Sequence, residues 1–440
     1  MNKKSTLIAE NRDIGQTGRL YYLNWLRVMA ILVVFFFHCA KIFDYHTTDL
    51  FNAVRSPVLS AFREFNFMWL MPLFFAVSGA AVFFSLKRRQ ARPFVKARIA
   101  RLLIPLVFVG TFLINPLYIY AIRLFGGQAG GGFFKWYPKF FDGMWGFGGN
   151  FAPLGQGTHL WYLEYLLIFS LILLPFLLRS KTRIAGALKR LSNRFEKPWA
   201  LFMLFLPISA VGAGFELIGL GGIRITGGWD PISYVLFFSY GYMIFSNGRI
   251  LEIVHRYGPM FLVVAVILTG LHVDTHFGFN LIIPSITRHD MLAGGALRPL
   301  ALSGWVAVQA FRGLVGWCWI IGLLGTGARL LNFNNKILSH ANEAVLPFYI
   351  LHHSVILLVG AYVVNWNSGV GTKFFMIATV SMAIIMAVYE LLVRRIYILP
   401  FLFGMKWKKV GAAQGWSRRS SRAGSTDECI SLGRRRVPNE

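Results

Sequence analysis

The chain has 440 residues, of which 56% are hydrophobic and only 14% charged, with a mean hydropathy of +0.55. A water-soluble domain carries about 25% charged residues, so this composition excludes an ordinary soluble enzyme. Three scattered cysteines (Cys39, Cys318, Cys429) exclude a disulfide framework and a CxxC metal site. The net charge of +27 does not point to nucleic acid, because the basic residues fall in short clusters between apolar runs. Cytoplasmic loops of membrane proteins accumulate Lys and Arg in this way.

A transmembrane helix needs about 20 mostly apolar residues. On that basis ten segments are predicted, near 21–43, 65–86, 99–124, 158–178, 199–222, 231–247, 258–274, 303–325, 343–364 and 374–397. The loops after the second, fourth, sixth and eighth segments are basic, as are both ends of the chain. The expectation is an all-α integral membrane protein with about ten transmembrane helices and both termini cytoplasmic. Residues 1–20 are expected to be a cytoplasmic N-terminal segment, 21–400 the transmembrane domain, and 401–440 a basic, disordered cytoplasmic tail. The first apolar run lacks a small-residue cleavage site and reads as a retained anchor. No internal repeat is visible, which disfavours transporter folds built from inverted repeats.

In chain order, the first segment holds Arg27 and His38, eleven positions apart. At about 100° per residue that is three turns plus about 20°, so both lie on one face, about 16 Å apart along the axis. Arg27 falls in the cytoplasmic half and His38 towards the outer end. That face presents a fixed cation and a candidate general base, although a snorkelling arginine and a packing histidine have the same pattern. Segment two ends in Ser78, Gly79, Ala80 and Ala81, suited to close helix approach, and then a basic run. Arg88, Arg89, Arg98 and Arg101 of that run fit an anion with several phosphates, such as coenzyme A, and equally fit positive-inside anchoring.

Residues 125–157 form a Gly-rich, aromatic loop on the predicted outer side, in which Trp136, Tyr137 and Trp145 offer faces for sugar rings or for the membrane interface. His159, Trp161 and Glu164 open segment four at a depth comparable with His38. A carboxylate inside a span needs a partner or a wet cavity, and a His–carboxylate pair orients an imidazole. A second outer loop is predicted over about 275–302, and His272, Asp274 and His276 before it point in different directions, so no metal is expected there. Segment nine contains Pro347, Tyr349, His352 and His353 near mid-membrane. No HExxH, GxSxG or P-loop is present.

These segments together resemble the acyltransferase-3 family of integral membrane O-acyltransferases. The resemblance rests on the Arg27–His38 spacing, FFAVSG in segment two and RIARLLIP after it. It rests also on LWYL in segment four and LPFYILHHSVI in segment nine, and it spans about residues 20–400 in order. YYLNWLR and LPFYILHHSVI are most similar to the branch that includes periplasmic glucan succinyltransferases.

The resemblance implies transfer of an acyl group, acetyl or succinyl, from cytoplasmic acyl-CoA to a hydroxyl of an extracytoplasmic glycan or glycolipid. It implies a bacterial inner-membrane location, with membrane lipid, acyl-CoA and the glycan acceptor as partners, no nucleic acid and no permanently bound cofactor. Arg27 and His38 would be the essential pair, joined by His352 and Glu164. Glu164 follows Trp161 at a shorter spacing than in many relatives, and His353 stands where the common pattern has Gln. Arg88, Arg89, Arg98 and Arg101 would hold the donor, and Trp136, Tyr137, Trp145, His159 and Trp161 the acceptor. A secondary transporter for a small anion is the rival reading; buried His, Arg and Glu would form its path, but it gives no reason for the ordered motifs.

Overall fold

A computed structural model describes residues 20–45, 47, 50–142, 159–179, 197–218, 227–277 and 298–405. Among these residues the chain is helical, with no strand. The helices are α1 (Tyr21–Lys41), α2 (Pro57–Phe67), α3 (Leu70–Arg88), α4 (Ala91–Phe125), α5 (Phe133–Asp142), α6 (Trp161–Ile172) and α7 (Leu174–Arg179). They continue as α8 (Pro198–Phe202), α9 (Phe205–Leu217), α10 (Pro231–Ser246), α11 (Gly248–Phe277), α12 (Arg298–Leu330), α13 (Lys336–Val363), α14 (Val370–Val393) and α15 (Leu399–Leu402).

Eight helical runs are long and apolar enough to cross a membrane, which makes the chain a multi-pass membrane protein. They are α1, α2 with α3, α4, α8 with α9, α11, α12, α13 and α14. The other two expected segments are present as shorter pieces: α6 and α7, divided at Leu173, and the 16-residue α10.

Two stretches differ from the sequence expectation. The run before segment two is not a loop but α2: Ser56 caps it by accepting the Leu59 N–H, and Pro57 occupies its first turn, where a missing N–H costs nothing. Its Arg63 pairs with buried Asp44 at 3.0 Å, tying α2 to the end of α1. In α4 the ladder widens to i→i−5 over Ile99–Leu103 and Pro105–Ile114, for example from Asn115 N–H to the Gly110 carbonyl. Pro105 has no N–H to give to the preceding turn, and the wider winding accommodates it.

Helices come close where side chains are small, as lipid-embedded packing requires. A Cβ on Gly79 would fall 1.9 Å from the Phe238 carbonyl oxygen, and one on Gly241 would fall 1.9 Å from that of Ala76, so α3 and α10 touch backbone to backbone. Gly258 and Gly325 bring α11 against α12 in the same way.

The helix that matters most for the site is α13. Every residue from Pro347 to Leu357 is buried, as expected of a helix that is apolar all round. It runs parallel to α1 and in register with it. The Tyr21 amide donates to Asn332 Oδ1, Trp25 donates to the Phe333 carbonyl, Phe35 meets Phe348, and Ile42 abuts Gly360.

Candidate functional site: a histidine cluster joined to an arginine cluster

The parallel register determines which residues meet. His38 lies 17 residues into α1 and His352 lies 16 residues into α13, so at about 1.5 Å per residue both reach about 25 Å from their helix starts. Their ring centroids are 5.1 Å apart, and that of His353 is 4.1 Å from His38. His159, two residues before α6 begins at Trp161, completes the group at 4.9 Å from His352 and 5.1 Å from His353. His159, His352 and His353 are buried and His38 is half-buried.

Backbone carbonyls determine the tautomer of two of these rings. His352 Nδ1 lies 2.6 Å from the Tyr349 carbonyl oxygen, and His159 Nε2 lies 3.0 Å from the carbonyl oxygens of Tyr349 and Ile350. A carbonyl only accepts, so each of these nitrogens carries the proton. The opposite nitrogens, His352 Nε2 and His159 Nδ1, therefore carry lone pairs, and both are buried without a partner among the described residues. The Tyr349 hydroxyl donates back to the His159 carbonyl, which locks the start of α6 against α13. His38 Nδ1 and both nitrogens of His353 are also buried without a partner among the described residues. A buried nitrogen with no hydrogen bond costs about 1–3 kcal/mol, so five that face no partner among the described residues set this cluster apart from ordinary core packing.

A second cluster lies towards the N-terminal end of α1. Arg27, Arg98 and Arg101 are near enough to act on one another electrostatically, and all three act on the Tyr162 hydroxyl. None of the three has a carboxylate or hydrogen-bond partner among the described residues; Arg98 stacks on Phe94 at 5.1 Å. Guanidiniums grouped in this way suit an anion with several oxygens. Tyr162 connects the two clusters. Its hydroxyl is 2.8 Å from Ser78 Oγ, and its ring is 5.8 Å from that of Tyr349, which holds the histidines.

The remaining expected site residues fall elsewhere. Glu164 is not brought to the histidines: it makes no hydrogen bond or ion pair with any of them, and its Oε2 is buried without a partner. Tyr162 faces the clusters, and Glu164, about 200° further round α6, faces away. Arg88 and Arg89 are exposed where α3 ends. Trp161 packs inward on Phe75, Tyr165 and Tyr234 rather than at an interface. Trp136 is covered by Tyr120, Phe133 and Phe140 of its own neighbourhood, and Tyr137 donates to the Phe112 carbonyl. These rings form a helix, α5, where the sequence suggested only loop, and Trp136 thus presents little open face. Trp145 lies outside the described residues. His272 pairs with Glu64 of α2 at 3.2 Å, joining α11 to α2.

Sequence reasoning named His353 without a role and gave none to Tyr162 or Tyr349. Polar residues in an apolar run were the available signal for each. A cleft of about 490 Å³ between α1 and α14 is lined by apolar side chains, including Phe36, Phe374 and Met382, together with Thr379. Phe35 forms its inner wall, and Phe348 behind it stacks on His352.

The family model described as an acyltransferase domain matches residues 20–390. Glucans biosynthesis protein C of Escherichia coli O17:K52:H18 (strain UMN026 / ExPEC) is 25% identical over 410 residues, covering 88% of this chain and 95% of that protein. The proteins of the same name from strains O81 (ED1a) and K12 align with the same identity and coverage. No solved structure matches.

Proposed function

Because the chain belongs to the acyltransferase-3 family and is an acyl-transferring enzyme of the membrane, we propose that it moves an acetyl or succinyl group from cytoplasmic acyl-CoA to a hydroxyl of an extracytoplasmic glycan or glycolipid. The observation that carries this reading is the continuous path from an unpaired guanidinium cluster, past Tyr162 and Tyr349, to a buried imidazole cluster. A polyanionic donor and a proton-accepting site are the two things such a transfer needs, and two clusters at separate positions along α1 support that reading. Relatives named for glucan biosynthesis support a glycan as acceptor.

In this reading the protein sits in the bacterial inner membrane with ten spans, α6–α7 and α10 being the two short ones, and with both termini in the cytoplasm. The basic ends of the loops support that orientation. Residues 1–20 are the cytoplasmic N-terminal segment, 21–400 the acyltransferase domain and 401–440 the tail. Arg27, Arg98 and Arg101, with Arg88 and Arg89 at the mouth, hold the phosphates of CoA. The pantetheine arm rises past Tyr162. His38 takes the proton of the acceptor hydroxyl as its oxygen attacks the thioester carbonyl, while His352, oriented by the Tyr349 carbonyl, backs it.

The test uses the full chain in lipid nanodiscs with radiolabelled acetyl-CoA or succinyl-CoA and a mixed glycan extract. A positioned base contributes about 10²–10⁴-fold, so His38→Ala is expected to slow label transfer by that factor while donor binding persists. Transfer by His38→Ala near the wild-type rate would remove His38 from the chemistry. Absence of transfer by the wild type with either donor would overturn the reading as a whole.

A further inference from the structure

The four imidazoles are of two kinds. His159 and His352 each have their N–H committed to a backbone carbonyl, and neither can exchange tautomers without breaking that bond. Among the described residues His353 has no hydrogen bond at either ring nitrogen, and His38 has none at Nδ1. A ring that receives a proton on one nitrogen and releases one from the other must be free to exchange tautomers. In this cluster only His38 and His353 have that freedom, and theirs are the closest pair of rings, with centroids 4.1 Å apart and planes tilted by 41°. Tyr118 places its ring 5.4 Å from His353, within the about 6 Å over which an aromatic face favours a cation.

We propose that His353 receives a proton from His38 during acyl transfer, so that the two form a proton-carrying pair inside a frame made by His159 and His352. This rests on the transfer reaction proposed above and adds the fate of the proton. The acceptor oxygen attacks the thioester carbonyl carbon, and its proton goes to His38 Nε2. The two rings touch without a hydrogen bond between them, so a turn of the ring brings His38 Nδ1 to the unprotonated nitrogen of His353, and the Nδ1 proton moves there. The carbon–sulfur bond breaks with its electron pair on sulfur. CoA leaves as a thiolate; the extra proton on His353 returns to His38 Nδ1 as His38 gives its Nε2 proton to the sulfur, which yields the ester and the CoA thiol and restores both rings. His353 acts through His38 and does not touch the substrate. The arrangement does without the carboxylate of a Ser-His-Asp triad, which would be costly at this depth in a membrane.

The test is a proton inventory: single turnovers of acyl transfer measured across mixtures of H2O and D2O. Two protons in flight are expected to give the wild type a curved dependence of rate on deuterium fraction. His353→Gln, which keeps hydrogen bonding but cannot carry a proton, is expected to slow the step by about tenfold or more. It is also expected to straighten the dependence to that of one proton. A straight line for the wild type would overturn the proposal, as would His353→Gln turning over at the wild-type rate or keeping the curvature. If His353→Gln fails to fold, the wild-type curve alone decides. Failure of the wild type to use any short-chain acyl-CoA would instead count against the transfer reaction itself, so the two outcomes are separable.

Discussion

Replacing Arg98 by glutamine tests the anion site quantitatively. Arg98 is half-buried, stacks on Phe94, and has no carboxylate or hydrogen-bond partner among the described residues, so its donors are available to a ligand. A hydrogen bond to a charged group is worth about 1.5–3 kcal/mol, and each 1.4 kcal/mol is a factor of ten, so Arg98→Gln should weaken CoA binding by about 10- to 150-fold. Arg101 is exposed, and water and salt screen it. An exposed pair is worth about 0.2–1 kcal/mol, so Arg101→Gln should cost no more than about fivefold. Arg88→Gln and Arg89→Gln, further out and also exposed, should cost no more than that. The assay is equilibrium binding of labelled acetyl-CoA to the protein in nanodiscs at two salt concentrations, because the exposed contributions should fade as salt rises. Binding by Arg98→Gln within twofold of wild type would refute the reasoning. An Arg101→Gln effect larger than that of Arg98→Gln would refute it too.

Two further outcomes follow from the geometry. Glu164→Gln should leave acyl transfer within about threefold of wild type, since α6 turns that carboxyl away from the histidines; in the His38→Ala assay, a loss as deep as that of His38→Ala would show that Glu164 reaches the chemistry. Gly241→Ala should lower the midpoint of thermal unfolding in detergent, because its Cβ would lie 1.9 Å from the Ala76 carbonyl oxygen and overpacking of this kind costs about 1–3 kcal/mol. Gly270→Ala, with nothing within 4 Å of the added carbon, is the control and should leave the midpoint unchanged or slightly raised.

Composition and periodicity determined that the chain is a bundle of membrane-spanning helices, because lipid forces backbone groups to be satisfied within each span and so writes long apolar runs into the sequence. The 3.6-residue period likewise put Arg27 and His38 on one face of α1, and the rarity of polar side chains in lipid singled out His352 and His353. Local signals did less well where the alternative was also local. Ser56 and Pro57 start α2 in a stretch where no helix is expected, and the aromatic residues before Asp142, expected as loop, fold as α5.

Which histidines meet was beyond any local signal. His159 and Tyr349 are 190 positions apart, and their contact depends on α6 beginning beside the middle of α13. The parallel register of α1 and α13, which brings His38 to His352, arises from packing between the two ends of the chain. The same packing puts Tyr162 towards the clusters and Glu164 away from them, although they are two positions apart in sequence. The tautomers were decided in the same way. Only the folded backbone determines which imidazole finds a carbonyl, and so which rings are held and which are left free to move a proton.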